Sequence, residues 1–347
     1  MIVESQSAAY EFAQAQKRTL AELATLQPIA LQASPAAAYT FDGLYELWLK
    51  KGCKRTRCHV RTRDLLKKHF GNIDFRTITK AQIHEFRKWL PLQGIAVTSQ
   101  SAIINAAKGM FSRAVRNGNM PNDLNPAHGV HVDMPKLNPT EGFTGSQLRL
   151  ILRLAEETKF GGDRHTEVMW MLRLAIYSGL RINEIAQLRK SDVGAAKIGD
   201  KHIPYLHIRE GEGQSVKPGA DHRAPVRRVP LHPDVHAFVA YAKSSSTECI
   251  FGAFPPNPSN GRASWVIGNF GAFMRKTCGL TDGKLSQRSF RKSFHRAMSD
   301  ARLHPDAQRY LVGHAGKDVH DKVYNNSQGL KLLAGEIVNV KPLEIEG

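Results

Sequence analysis

The stretch from Glu167 to Leu188 constrains this chain most. It is strongly apolar at helical spacing, and Ser178-Gly179 breaks it. A helix that is apolar on nearly every side has to be enclosed by other elements. Gly179 supplies a sharp turn at the break. The run Leu180-Arg181-Ile182-Asn183-Glu184 then opens a new helical turn. That places Arg181 at a helix start, in reach of a pocket. Glu184 lies one turn on, at the spacing of a bidentate ion pair. Taken alone, the same pair also reads as a surface contact on an amphipathic helix.

Upstream of this stretch the pattern is helical throughout. Phe41, Leu44, Trp48 and Leu49 share one face, and Leu65 and Leu66 point inward from a helix that runs to Phe70 and stops at Gly71. Thr79-Lys-Ala-Gln82 is a capping box that opens a helix carrying Ile83, Phe86 and Leu90, closed by Pro91 and Gly94. Thr98 is the expected cap of a longer helix with Ile103, Ile104, Ala107 and Phe111 inward, and Asn117-Gly118 ends it. Asp133 to Pro139 holds two prolines and no helical pattern, so a domain boundary is expected there. Thr144-Gly-Ser-Gln147 is a second capping box and starts the next domain. Ile203 to Ile208 and Val226 to Leu231 read as strands, with turns at Gly211 to Gly213 and Pro218-Gly219. The fold class is therefore mainly α with a small antiparallel β-sheet. Residues 1–37 form an N-terminal arm or linker, 38–137 a helical domain, and 138–347 a mixed α/β domain. The last of these ends in a short apolar tail helix with Leu330, Leu332, Leu333 and Ile337.

Lys and Arg outnumber Asp and Glu by 49 to 31 over 347 residues, a formal charge of +18. Such a balance points to a polyanionic partner, nucleic acid before an anionic membrane. The basic residues are spread along the chain. Lys54, Arg55, Arg57 and Arg61, with Lys108, Arg113 and Arg116 on the polar side of the long helix, are the candidate phosphate-contacting set. Each taken singly also reads as part of a solvated face. No apolar run is long enough to span a membrane and no secretory signal is visible, so a reducing, cytoplasmic setting is expected. Four cysteines make no disulfide framework. Cys53 and Cys58-His59 lack a second Cys/His pair to complete a zinc site. His304, His314 and His320 lack a carboxylate at helical spacing, so no metal is expected.

Further cationic stretches follow Arg181. Lys217 sits on the hairpin between the last two strands, where a lysine is either solvated or a mobile proton donor. Arg288 and Arg291 are three residues apart, the spacing of one helix face and of a phosphate fork, while Leu285, Phe290 and Phe294 pack that helix inward. Gly313 and Gly316 fit a tight turn presenting His314, and Tyr324 follows ten residues later. A phenol with a pKa near ~10 is a poor nucleophile at neutral pH, by about 4 kcal/mol. It works only where cations stabilise the charge that develops on its target.

These stretches, in this order, resemble the tyrosine recombinase (phage integrase) family over roughly residues 39–330. The family's Thr/Ser-Gly-x-Arg-x-x-Glu box is matched by Ser178, Gly179, Arg181 and Glu184. Its hairpin lysine is matched by Lys217, and its His-x-x-Arg box by Arg288-Ser-Phe-Arg291. Its Leu-x-Gly-His box is matched by Leu311, Gly313 and His314, and its nucleophile by Tyr324. The resemblance implies a core-binding domain followed by a catalytic domain, acting on double-stranded DNA without a cofactor. Arg181, Arg288 and Arg291 would neutralise the scissile phosphate, Tyr324 would attack it, Lys217 would protonate the leaving 5′-oxygen and His314 would donate a hydrogen bond. A homotetramer on paired sites is implied as well. The need for accessory DNA-bending proteins is not written in the sequence. One departure stands out: an arginine at 288 is charged at any working pH and cannot trade protons as the usual histidine can. Hence Arg288 is expected to help electrostatically. His295, one turn past Arg291, reads as structural rather than as a substitute. Rival readings are a DNA-binding protein of this fold that no longer recombines, a DNA-relaxing enzyme with the same phosphotyrosine chemistry, and a helical scaffold that binds RNA. The last would leave Tyr324 without a role.

Overall fold

The computed structural model describes residues 39–50, 57–121, 124–134, 140–216, 226–257, 261–313, 324 and 327–346. The chain divides into two compact units, Met1–Leu137 and Asn138–Gly347. The arm expected over residues 1–37 lies outside the described residues, as do Lys54, Arg55, Lys217 and His314.

The first unit is built from α1 (Phe41–Leu49), α2 (Arg57–Phe70), α3 (Lys80–Leu92) and α4 (Val97–Arg116). Its core holds Phe41, Leu44, Leu66, Phe75, Phe86, Ile103, Met110 and Phe111. Each such side chain contributes about 1.5–3 kcal/mol by leaving water. Thr79 caps α3 through a complete capping box with Gln82. The start of α4 differs from expectation. Ala96 is the cap residue and makes no side-chain bond, so Thr98 lies inside the helix. Here burial of Ile103, Ile104 and Ala107 fixes the helix without a cap. Of the pair Leu65 and Leu66, Leu66 is fully buried and Leu65 only partly.

The second unit is organised around α6 (His165–Ser178), which follows α5 (Gly145–Glu157). From Val168 to Ser178 almost every residue of α6 is buried. It packs on α5, on α7 (Ile182–Ala186) and on α10 (Ser289–Asp300). Thr144 and Gln147 close the second capping box at the start of α5. The sheet runs β1 (Val193–Ile198), β2 (Lys201–Ile208) and β3 (Arg227–Pro230), antiparallel in that order. Leu206 pairs with Val193 on one side and Val229 on the other. The helices α8 (Phe238–Ser244), α9 (Ser264–Lys276), α11 (Pro305–Val312) and α12 (Ser327–Ile337) complete the unit. Phe143, Phe270 and Phe290 form an aromatic cluster, with ring centroids 5.0 Å and 5.1 Å apart for the two closer pairs. The tail helix α12 lies on all three strands of its own unit. Leu330, Leu333 and Ile337 face inward, whereas Leu332, half exposed, does not. No described helix is long and apolar enough to cross a membrane.

Candidate active site

Two helix ends build the site. The helix α6 stops at Gly179, whose φ of +60° is the left-handed conformation glycine adopts without penalty. The helix α11 stops in the same way at Gly313, φ +63°. A helix C-terminus leaves carbonyl oxygens without partners and carries partial negative charge. Arginines meet that demand here. Arg291, from the first turn of α10, donates one Nη to the Gly179 carbonyl at 3.0 Å and the other to the Val312 carbonyl. Arg227 donates Nε to the Leu311 carbonyl at 3.1 Å. The two glycine turns that precede Arg181 and His314 in the chain are thus each tied down by a guanidinium.

Arg181 is the cap residue of α7, in extended conformation. Glu184 is 2% exposed and is shared between two arginines. Its Oε1 accepts from Arg181 Nη1 at 2.7 Å, while its Oε2 accepts from the Arg181 backbone N–H at 3.0 Å and from Arg227 Nη2 at 2.9 Å. The expected bidentate fork between Arg181 and Glu184 is therefore replaced by a three-residue chain. Burial would raise the Glu184 carboxyl, but the charges of Arg227 and Arg181 outweigh it and hold the pKa below the usual carboxylate value. Burial, the neighbouring Arg181 and Arg227 push Arg291 down to about 10, partly offset by Glu184. It is still a cation at neutral pH. Three guanidiniums around one carboxylate leave two positive charges uncompensated among these residues, which is the electrostatics of an anion site.

The remaining candidates are placed less uniformly. Arg288 is the cap residue of α10 and is exposed, while Arg291 is drawn inward to the carbonyls. The two share a helix end but not an environment. His295 is exposed on α10. Tyr324 is 7% exposed, and its ring lies beside that of Tyr310, centroids 5.4 Å apart and planes tilted by 40°. Burial, then the charges of Glu336 and Asp306, raise its hydroxyl above the ordinary phenol value. Tyr310 is core, as expected, and its Oη accepts from the Arg228 backbone N–H at 3.1 Å. In the first unit Arg57 and Arg61 are exposed one turn apart on α2. On α4, Arg116 is exposed, and Lys108 and Arg113 are half-buried. Among the described residues no group of three or more His, Cys, Asp and Glu is arranged to hold a metal ion.

Two residues escaped the sequence reading. One is Glu336 on α12, whose Oε2 is buried without a hydrogen-bond partner among the described residues. Nothing local distinguishes it. The other is Arg227. Strand alternation put it on the same face as Val229, so an inward Val229 already required an inward arginine, and a buried arginine requires a carboxylate.

No protein-family model and no curated protein matches this sequence. Solved structures do match its fold. Lambda integrase, as a dimer bound to a COC′ core site, superposes with a TM-score of 0.57 at 16% identity, covering 80% of this chain and 94% of that one. It also matches as a tetramer bound to a Holliday junction, with a TM-score of 0.56 at 17% identity, over 83% and 76%. The Tn1549 transposon integrase in complex with circular intermediate DNA gives 0.57 at 15% identity, over 84% and 98%. The XerH site-specific recombinase bound to palindromic difH substrate gives 0.51 at 13%, over 80% and 78%. The chain has the tyrosine recombinase fold.

Proposed function

We propose that this protein is a site-specific DNA recombinase that cuts and rejoins strands through a 3′-phosphotyrosyl intermediate, integrating or excising a mobile element. The pairing of Arg181 and Arg227 with a single buried Glu184, with Arg291 held in their electrostatic field, carries the reading. It leaves net positive charge where a phosphodiester would bind, in a fold whose solved relatives are DNA-bound recombinases. In the reaction, Tyr324 Oη forms a bond to the scissile phosphorus as the bond from phosphorus to the 5′-oxygen breaks. The phenolic proton passes to solvent water, and the departing 5′-oxygen takes a proton from Lys217. Arg181 and Arg291 stabilise the charge on the non-bridging oxygens, with Arg288 adding to the field and His314 donating a hydrogen bond. A 5′-hydroxyl from a partner strand then attacks the phosphotyrosine and restores the phosphodiester. Bond energy is conserved throughout, so the scheme needs neither ATP nor a metal. The basic residues of the first unit, Lys54, Arg55, Arg57, Arg61, Lys108, Arg113 and Arg116, contact duplex backbone. A tetramer assembles on paired sites.

Tyr324 is buried before DNA binds, and its raised pKa deepens the deficit of a neutral phenol. The reaction therefore depends on DNA completing the site. The test is covalent trapping on a pool of nicked duplexes of varied sequence. The expected result is an SDS-resistant, protease-sensitive adduct with wild type that Tyr324→Phe abolishes. Binding without any adduct favours a non-recombining DNA-binding protein, and an adduct that survives Tyr324→Phe overturns the assignment of the nucleophile.

A further inference from the structure

Arg227 has no route to a substrate. It is 1% exposed, on the inward face of β3, and Gly313 lies directly against it. A Cβ on Gly313 would stand 2.6 Å from Arg227 Nη1 and 2.7 Å from its Cζ. The turn that leads to His314 is thus bare where the guanidinium passes beneath it. Two further contacts hold the group: Nη2 to Glu184 and Nε to the Leu311 carbonyl. The planar guanidinium fork reaches a carboxylate and a carbonyl at once, which an ammonium does not reproduce.

We propose that Arg227 is a positioning residue, the internal counter-ion of Glu184, which leaves the charge of Arg181 available to the scissile phosphate and anchors the end of α11. This rests on the recombinase reading above. The argument is one of charge balance. Glu184 fixes the orientation of Arg181 through Nη1 and the backbone N–H. With Arg181 as its sole partner, that carboxylate would cancel the charge it orients. The site would then show the phosphate one net cation, Arg291. Arg227 neutralises Glu184 from the core side, so Arg181 is oriented without being neutralised. The outward charge stays at two, matching the charge that builds on the phosphoryl oxygens in the transition state. The same guanidinium fixes the carbonyl of Leu311, two residues before Gly313. Arg227 therefore couples the arginine side of the site to the end of α11 at Gly313.

The test compares wild type with Arg227→Met, Arg227→Lys and the double variant Arg227→Met/Glu184→Gln. The double variant removes both buried charges together, so it is expected to fold even where Arg227→Met does not. Two readouts are taken on each folded variant: the rate of adduct formation on the nicked-duplex pool, and the shift in melting temperature produced by inorganic sulfate without DNA. With Arg227→Met the adduct rate should fall by about 100-fold, the scale of losing one oxyanion-stabilising group. DNA affinity should change by less than about threefold, because the contact acts on the transition state. The sulfate shift should be largely lost. The double variant should recover about tenfold or more of the rate and regain the sulfate shift, because outward charge is restored. Arg227→Lys keeps the charge but not the fork, so it should keep the sulfate shift and lose about tenfold in rate. A purely structural role predicts rates that follow thermal stability alone. A folded double variant no faster than Arg227→Met overturns the proposal. So does Arg227→Met with wild-type rate, or a folded Arg227→Lys that has lost its sulfate shift. If wild type forms no adduct on any duplex, the recombinase reading fails, while the sulfate comparison still decides the role of Arg227.

Discussion

Replacing Gly179 with alanine probes the tightest steric requirement of the site. Gly179 sits at φ +60°, where an L side chain costs about 1–2 kcal/mol. Its Cβ would stand 3.0 Å from Cγ and 3.2 Å from Cβ of Phe294, and nearer still to Cδ1. Phe294 is fully buried and cannot swing away. Overpacking of this kind costs about 1–3 kcal/mol. Together the two effects predict a loss of about 2–5 kcal/mol. The second unit spans Asn138–Gly347. At that size the loss corresponds to a drop in melting temperature on the order of 5–15 °C. The measurement is urea denaturation of Gly179→Ala, Phe294→Leu and the double variant. Phe294→Leu removes the ring from the alanine's path, so the cycle should return a favourable coupling of about 1–3 kcal/mol, with the backbone share remaining. The Gly179 carbonyl also accepts from Arg291, so sulfate stabilisation should weaken in Gly179→Ala and partly return in the double variant. A Gly179→Ala protein within about 0.5 kcal/mol of wild type, or a cycle without coupling, refutes the steric account.

Other outcomes follow from the same geometry. Glu184 has a folded pKa below its usual 4.5, so its contribution is fully present above the unfolded value and is lost as pH falls through the folded one. Circular dichroism from about pH 6 to 2 should therefore show a shallower acid transition in Glu184→Gln than in wild type, and equal slopes would remove Glu184 from the acid response. Tyr310→Phe should leave the adduct intact but cost about 1–3 kcal/mol by orphaning the Arg228 N–H. Loss of the adduct would instead make Tyr310 the nucleophile. DNA affinity should fall log-linearly with salt, and Arg61→Ala should lower that slope by about one, whereas a salt-independent affinity would contradict phosphate-led binding.

What was legible in the sequence is what is chemically local. Both capping boxes close within three residues, so Thr79 with Gln82 and Thr144 with Gln147 announce their helices. Gly179 and Gly118 mark helix ends because the backbone there turns left-handed. The α4 start was misplaced because Ala96 makes no side-chain cap, and a nearby Thr98 looked better suited. The strand β1 went unread. Its Val-Gly-Ala-Ala-Lys-Ile has little β preference, and pairing with β2 creates it. The sharing of Glu184 was equally hidden. Arg181 is three residues away, whereas Arg227 is 43 residues away and the second partner of Arg227, Leu311, is 84 residues further on from it. Only the fold brings them together.

The last described turn of the chain closes on α5, the first helix of the second unit. Gly145 N–H donates to the Ile345 carbonyl at 2.7 Å, and the Arg149 guanidinium reaches the Leu343 carbonyl across a separation of 194 residues. The consequence concerns time as much as shape. During synthesis the helix from Gly145 emerges first, and its Arg149 must wait for a partner 194 residues further along, so closing that long loop delays the packing of the helix. Tyr324 leaves the ribosome before that partner does. A growing chain thus carries Tyr324 on an unfinished unit, and full packing of α5 belongs to the chain once residues 342–345 have cleared the exit tunnel. Chains stalled short of that point should be cut near Arg149 by a brief protease pulse, and chains stalled beyond it should resist.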